Sequence, residues 1–141
     1  MDINSNQDYI NNISEICIEQ TAERFNLPKN LLKAVLQVEN GDIGKVNNNT
    51  NGTYDIGPMQ INSIWLPHFE EYVTLDKIQN NGCINLQVGA WILRHNINNT
   101  GGNTWEGVGN YHSSTPELHQ NYVYKVFTAY YELEQSNLKT N

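Results

Sequence analysis

Leu27-Pro28-Lys29-Asn30-Leu31-Leu32-Lys33-Ala34-Val35-Leu36-Gln37-Val38-Glu39-Asn40-Gly41 reads as one short helix carrying a carboxylate on its apolar side. Pro28 sits at or near the first helical position, where a missing N–H costs no hydrogen bond. Gly41 supplies the stop. On a wheel of ~100° per residue, Glu39 falls between Val35 and Leu32, while Lys33, Gln37 and Asn40 hold the opposite arc. Desolvation there raises a carboxyl pKa, and the helix C-terminus disfavours negative charge further. A carboxyl kept protonated near neutral pH is what general-acid cleavage of a glycosidic bond requires. A Glu that only caps the helix and reaches solvent would leave the same pattern.

The segments on either side predict a mainly α chain. Upstream, residues 8–25 are expected to form a helix with Ile10, Ile13, Cys17, Ile18, Ala22 and Phe25 on one arc and Glu19 and Glu23 opposite. Downstream, residues 40–56 are rich in Gly and Asn and read as a long irregular segment or a small hairpin. Such a loop in a compact domain is usually functional or disordered. Residues 57–66 are expected to form a short helix, and Thr74-Leu75-Asp76-Lys77 a capped turn. Residues 83–97 are the most apolar helix, with Leu86, Gly89, Ala90, Leu93 and Ile97 on one side and Val88, Trp91 and Ile92 on another. A helix apolar on two sides belongs at the centre of a fold, and Gly89 and Ala90 leave room for a neighbour. A short helix over 104–112 follows a Gly-rich turn. Pro116 opens a last helix to about Leu133, with Val123, Val126, Phe127, Tyr130 and Leu133 as its stripe. There is no internal repeat, so residues 1–141 are expected to form one domain.

Composition narrows the function. The chain has 141 residues and a net charge of -7, with only 8 Lys and Arg, scattered along it. Nucleic acid, which needs clustered cations, is excluded as a partner. An uncharged polymer such as a glycan is compatible. No apolar run reaches the ~18 residues of a membrane span. Met1-Asp2-Ile3-Asn4 lacks the basic start of a secretory signal, which fits either a cytoplasmic chain or a mature form with an added Met. Cys17 and Cys83 are too far apart for a CxxC motif. They read either as two buried thiols or as a disulfide worth ~3–4 kcal/mol in an oxidising compartment. His68, His95 and His119 have no metal-ligand spacing, so neither metal nor cofactor is expected.

Three ordered segments carry a resemblance: Val38-Glu39-Asn40-Gly41, Gly57-Pro58-Met59-Gln60-Ile61-Asn62 and Gly109-Asn110-Tyr111-His112-Ser113. Together they resemble the soluble lytic transglycosylases, a branch of the lysozyme superfamily. The secretion- and conjugation-associated subgroup is similar also in Tyr54-Asp55-Ile56-Gly57, Asn81-Gly82-Cys83-Ile84-Asn85, Val88-Gly89-Ala90-Trp91-Ile92-Leu93 and the run from Trp105 to Ser113. The match extends from about Cys17 to Val126.

The resemblance implies a lysozyme-like fold acting on peptidoglycan glycan strands outside the inner membrane, with secretion-system components as further partners. A periplasmic location then implies that the chain is a mature form and that Cys17 and Cys83 pair. It implies that Glu39 protonates the glycosidic oxygen between N-acetylmuramic acid and N-acetylglucosamine and then activates the muramoyl 6-hydroxyl, giving a 1,6-anhydro end. The substrate's N-acetyl group can stabilise the intermediate, so one carboxylate suffices.

Asp55 is the candidate second carboxylate, or else it organises the turn into Gly57. Met59, Gln60 and Asn62 are expected to form the groove floor, and Asn110 and Tyr111 to contact sugar, with Tyr111 also a hydrogen-bond partner for Glu39. Trp65, Trp91 and Trp105 are expected in the core, and His112 has no expected part in proton transfer. Where the family usually has Ser after the catalytic Glu, this chain has Asn40. The competing readings are a hydrolytic muramidase using Asp55, a non-catalytic glycan-binding assembly component, and a cytoplasmic interaction domain.

Overall fold

The structure, a computed structural model, describes residues 9–140. It is mainly helical, of the lysozyme type expected. Its helices are α1 (Glu15–Arg24), α2 (Lys29–Glu39), α3 (Leu66–Phe69), α4 (Leu75–Asn80), α5 (Gly82–Asn98), α6 (Thr104–His112) and α7 (Pro116–Thr140). The strands are β1 (Tyr9–Ile10), β2 (Ile13–Ser14), β3 (Val46–Asn48), β4 (Tyr54–Ile56) and β5 (Ile61–Asn62). Short polar side chains start most helices. Ser14, Thr74, Asn81 and Asn103 accept the backbone N–H of Cys17, Lys77, Ile84 and Glu106, respectively, at 3.0–3.2 Å. Part of the chain's richness in Asn is therefore capping.

α5 is central, as its two apolar sides predict. It packs against α6, α4 and α1, while α7 lies across α2 and α6. Leu86, Ala90 and Leu93 are fully buried. Gly89 has the packing role its place suggested, since a Cβ there would come within 2.7 Å of the Met59 side chain. Cys17 and Cys83 form a disulfide that ties α1 to the start of α5, with their Cα atoms 6.0 Å apart. Among the described residues no helix is long and apolar enough to cross a membrane.

Three expectations are corrected. The first helix does not span 8–25. Residue 8 lies outside the described residues, and Tyr9–Ser14 is an antiparallel hairpin pairing Ile10 with Ile13. Asn11 and Asn12 turn it with φ of 53° and 64°, the left-handed pair that a tight two-residue hairpin turn needs. Residues 57–66 are not one helix. Gly57 and Gln60 have φ of 67° and 51°, which turns the chain back so that β5 pairs with β4; a 3-10 turn (Ser63–Trp65) and α3 follow. The irregular segment over 40–56 thus contributes two strands of a three-stranded antiparallel sheet, ordered β3-β4-β5. The last helix runs past Leu133, and its buried line includes Tyr122 and Val126, whereas Phe127 is 48% exposed.

Candidate active site

The site is assembled around two close approaches of backbone. At the end of α2, Asn40 takes the left-handed conformation with φ of 51°, which Asn tolerates better than most residues. The next residue, Gly41, donates its N–H to the Pro58 carbonyl at 3.2 Å. A Cβ on Gly41 would strike the Gly57 carbonyl, so only glycine lets α2 end against the Gly57–Asn62 turn. Behind that turn lies Asn85, fully buried on α5. Its Oδ1 accepts from the Met59 N–H at 2.8 Å, and its Nδ2 donates to the carbonyls of Ile56 and Ile78, each at 3.0 Å. One amide thus joins the sheet, the turn and α4. Sequence reading passed it over as one residue of a motif.

In front of the turn is a cleft of about 550 Å³ lined by Glu39, Asp55, Gln60, Asn62, Tyr111 and others. Glu39 is brought here by the end of α2. Tyr122, on α7, donates its hydroxyl to Glu39 Oε2 at 2.6 Å. Burial pushes the Glu39 carboxyl up to about 7. The Tyr122 hydrogen bond pulls the other way, and the negative charge of Asp55 adds to the rise. Burial and the nearby Glu39 charge raise both Tyr111 and Tyr122 well above the usual phenol range, so both remain donors at neutral pH. Asp55 is in the middle strand of the sheet. The β4–β5 register sets it opposite Asn62, whose Nδ2 donates to Asp55 Oδ1 at 3.0 Å. The cleft therefore holds one carboxyl that keeps its proton near neutrality and a second that is hydrogen-bonded in the adjoining sheet. This arrangement can donate a proton to an oxygen between the two and stabilise positive charge beside it.

The expected substrate contacts divide. Gln60, Asn62 and Tyr111 line the cleft; Met59 and Asn110 do not. Met59 is fully buried, so it supports the floor from beneath and presents no surface to a sugar. Gln60 has both amide atoms engaged, Nε2 with the Gly57 carbonyl and Oε1 with Asn47. Tyr111 donates to the Met59 carbonyl at 2.7 Å and not to Glu39; that role falls to Tyr122. Asn40 is exposed and is not part of the cleft lining, so the departure from Ser lies outside the groove wall.

Residues not expected here also line the cleft, among them Asn49 and Asn51, from the β3–β4 hairpin, and Trp65, Ile92 and Leu118. Trp65, Trp91 and Trp105, expected in the core, are each partly buried and pack against its edge. His112 also lines the cleft and stacks on Tyr122 with ring centroids 4.8 Å apart. Burial, followed by Lys125, lowers its pKa, with Asp55 opposing. That favours the neutral ring and suits a packing role. Among the described residues no cluster of three His, Cys, Asp or Glu is placed to hold a metal.

The chain is similar in sequence to known proteins. The profile of the transglycosylase SLT domain matches residues 16–132. "Invasion protein IagB" of Salmonella typhi is 30% identical over 125 residues, covering 84% of this chain and 78% of that protein. "Protein IpgF" of Shigella flexneri is 33% identical over 101 residues, covering 70% of this chain and 66% of that protein. A "Peptidoglycan-binding-like protein" of Escherichia coli O157:H7 is 27% identical over 135 residues, covering 86% and 80%.

Proposed function

This chain belongs to the transglycosylase SLT family, whose substrate is peptidoglycan, and we propose that it cleaves the β-1,4 bond between N-acetylmuramic acid and N-acetylglucosamine to leave a 1,6-anhydromuramoyl end. The observation that carries this reading is the Glu39 carboxyl, poised at about 7 in an open cleft. Glu39 gives its proton to the glycosidic oxygen as the C1–O bond breaks. The muramoyl 2-acetamido oxygen takes up the charge at C1. The Glu39 carboxylate then removes the proton of the C6 hydroxyl as that oxygen closes on C1, so the acid is restored and no water is consumed. Tyr122 is a positioning residue: it holds Oε2 and leaves Oε1 to carry the moving proton. One relative is an invasion protein by name, and this supports a role in opening the wall for a secretion or transfer apparatus in the periplasm.

A hydrolytic muramidase is the second reading, favoured by Asp55 in the same cleft. Mass spectrometry of digested peptidoglycan separates the two. Anhydro ends are one water lighter than reducing ends and resist borohydride. Anhydro products are expected, and reducing ends alone would sink the lyase reading. Asp55→Asn distinguishes the roles of that residue: a structural Asp55 leaves kcat within about twofold, whereas stabilisation of the transition state costs about 10²-fold.

Tyr122→Phe tests the positioning role. The lost hydrogen bond had favoured the Glu39 anion, so its removal raises the Glu39 pKa. The alkaline limb of the pH–rate profile should move up, by about half a unit to one unit for one hydrogen bond of ~1 kcal/mol. The rate at the optimum should fall about tenfold as the carboxyl loses its orientation. A lower rate with an unmoved limb would mean that the hydroxyl only packs.

A further inference from the structure

We propose that a second cleft, beside the catalytic one on a neighbouring face of α5, binds the peptide stems of the glycan substrate. This rests on the peptidoglycan reading above. The second cleft measures about 610 Å³ and is lined among others by Arg24, Phe25, Tyr72, Lys77, Val88 and Trp91. α5 borders both: Ile92 faces the first cleft, and Val88 and Trp91 face the second. Trp65 of the first meets Trp91 of the second edge-on, with centroids 6.0 Å apart.

The chemistry of the lining selects the ligand. The chain carries 15 acidic and 8 basic residues, yet two cations and no carboxylate line this cleft. Lys29, Lys33 and Lys45 are paired with carboxylates elsewhere. Of the other described cations, Arg24, Lys77, Arg94 and Lys125 have no carboxylate within ion-pair distance, and two of these four line this cleft; Arg24 instead donates to Gln87 Oε1 at 3.2 Å and lies over the Phe25 ring. Glu70 and Glu71, on the adjoining turn, stay out of the lining. The local sign is therefore opposite to the global one, which favours an anionic ligand. Between the cations lies apolar surface, including Tyr72 at 80% exposure, far more than a core aromatic would show. A ligand that alternates methyl groups with carboxylates matches both features. Peptide stems are of this kind, with alanyl methyls beside free glutamyl and diamino-acid carboxylates. Reach is adequate as well: the clefts adjoin where Trp65 of one meets Trp91 of the other, with centroids 6.0 Å apart, whereas four extended residues span ~13 Å.

The test uses soluble glycan strands with their stems and the same strands stripped by an amidase. For Arg24→Gln/Lys77→Gln, KM on peptide-bearing strands should rise about fivefold, the factor expected for two exposed ionic contacts, and KM on stripped strands should not move. A synthetic L-Ala-γ-D-Glu-diaminopimelate-D-Ala tetrapeptide at millimolar concentration should shift the Trp91 indole resonance of the unsubstituted protein and leave that of the variant unmoved. A KM change shared by both substrates, or no tetrapeptide shift, overturns the stem site. An equal shift from an all-L peptide of the same length and charge overturns it in favour of an acidic protein segment. If the unsubstituted protein cuts neither substrate, the proposed function fails, and the tetrapeptide titration still decides the groove.

Discussion

Glu39→Gln should reduce the release of soluble fragments from purified peptidoglycan by about 10²–10⁴-fold while making the protein more stable at pH 8. The two effects have one cause. The folded Glu39 carboxyl titrates at about 7, against an ordinary value of 4.5, chiefly because it is buried, with the Asp55 charge adding to the rise. Between those values the folded chain holds a proton that the unfolded chain has lost. Stability therefore falls as pH rises from 4.5 towards 7 and levels off above it, at a total cost of up to about 3 kcal/mol. Gln has the same shape, carries no charge and still accepts from Tyr122. It removes the acid and the electrostatic penalty together. Urea unfolding should show the variant ahead of the parent at pH 8 and nearly level with it at pH 4. Unchanged wall cleavage by a purified, folded variant would remove Glu39 from the mechanism. A stability gain that ignores pH would mean that the carboxyl is not desolvated.

Glu39 was legible because its signal is local. The residue lies on the arc of one helix that also carries Leu32 and Val35, both fully buried. α5 was legible for the same reason. Tyr122 was not. The last helix was read with Val123 in its stripe, one residue away from Tyr122, which is 5% exposed. Periodicity ranks faces but does not name the partner that a buried hydroxyl finds 83 residues away. Asn85 shows the same limit: an amide in an apolar helix is visible as an oddity, whereas its three backbone partners come from the turn, the sheet and α4. The N-terminal hairpin was misread because Ile10, Ile13 and Cys17 fit a helical arc. The two consecutive left-handed Asn residues that break it carry a turn preference weaker than Asn-Gly. The pairing of Asp55 with Asn62 depends on strand register, and that register is set by the left-handed backbone at Gly57 and Gln60.

Replacing both cysteines by Ser should cost about 4 kcal/mol, the loop-closure value for the 66-residue separation of Cys17 and Cys83. Against total stabilities of ~5–15 kcal/mol, this is a large fraction. A Tm fall on the order of 10 °C follows, and reductant should lower the parent to the same level. The loss should reach the chemistry because of where the bridge sits. Cys83 precedes Asn85 by two residues on α5, and Asn85 holds the Met59 N–H and the Ile56 carbonyl, the frame of the turn that closes the cleft. Loosening the start of α5 frees that amide, and the Gly57–Asn62 turn loses the backing that sets it against Gly41 and Glu39. Activity of the double variant at 37 °C should therefore fall further than its folded fraction does. An unchanged Tm would show that packing of Ile18 and Leu86, both fully buried, holds α1 on α5 without the bridge. The active fold would then be independent of an oxidising compartment.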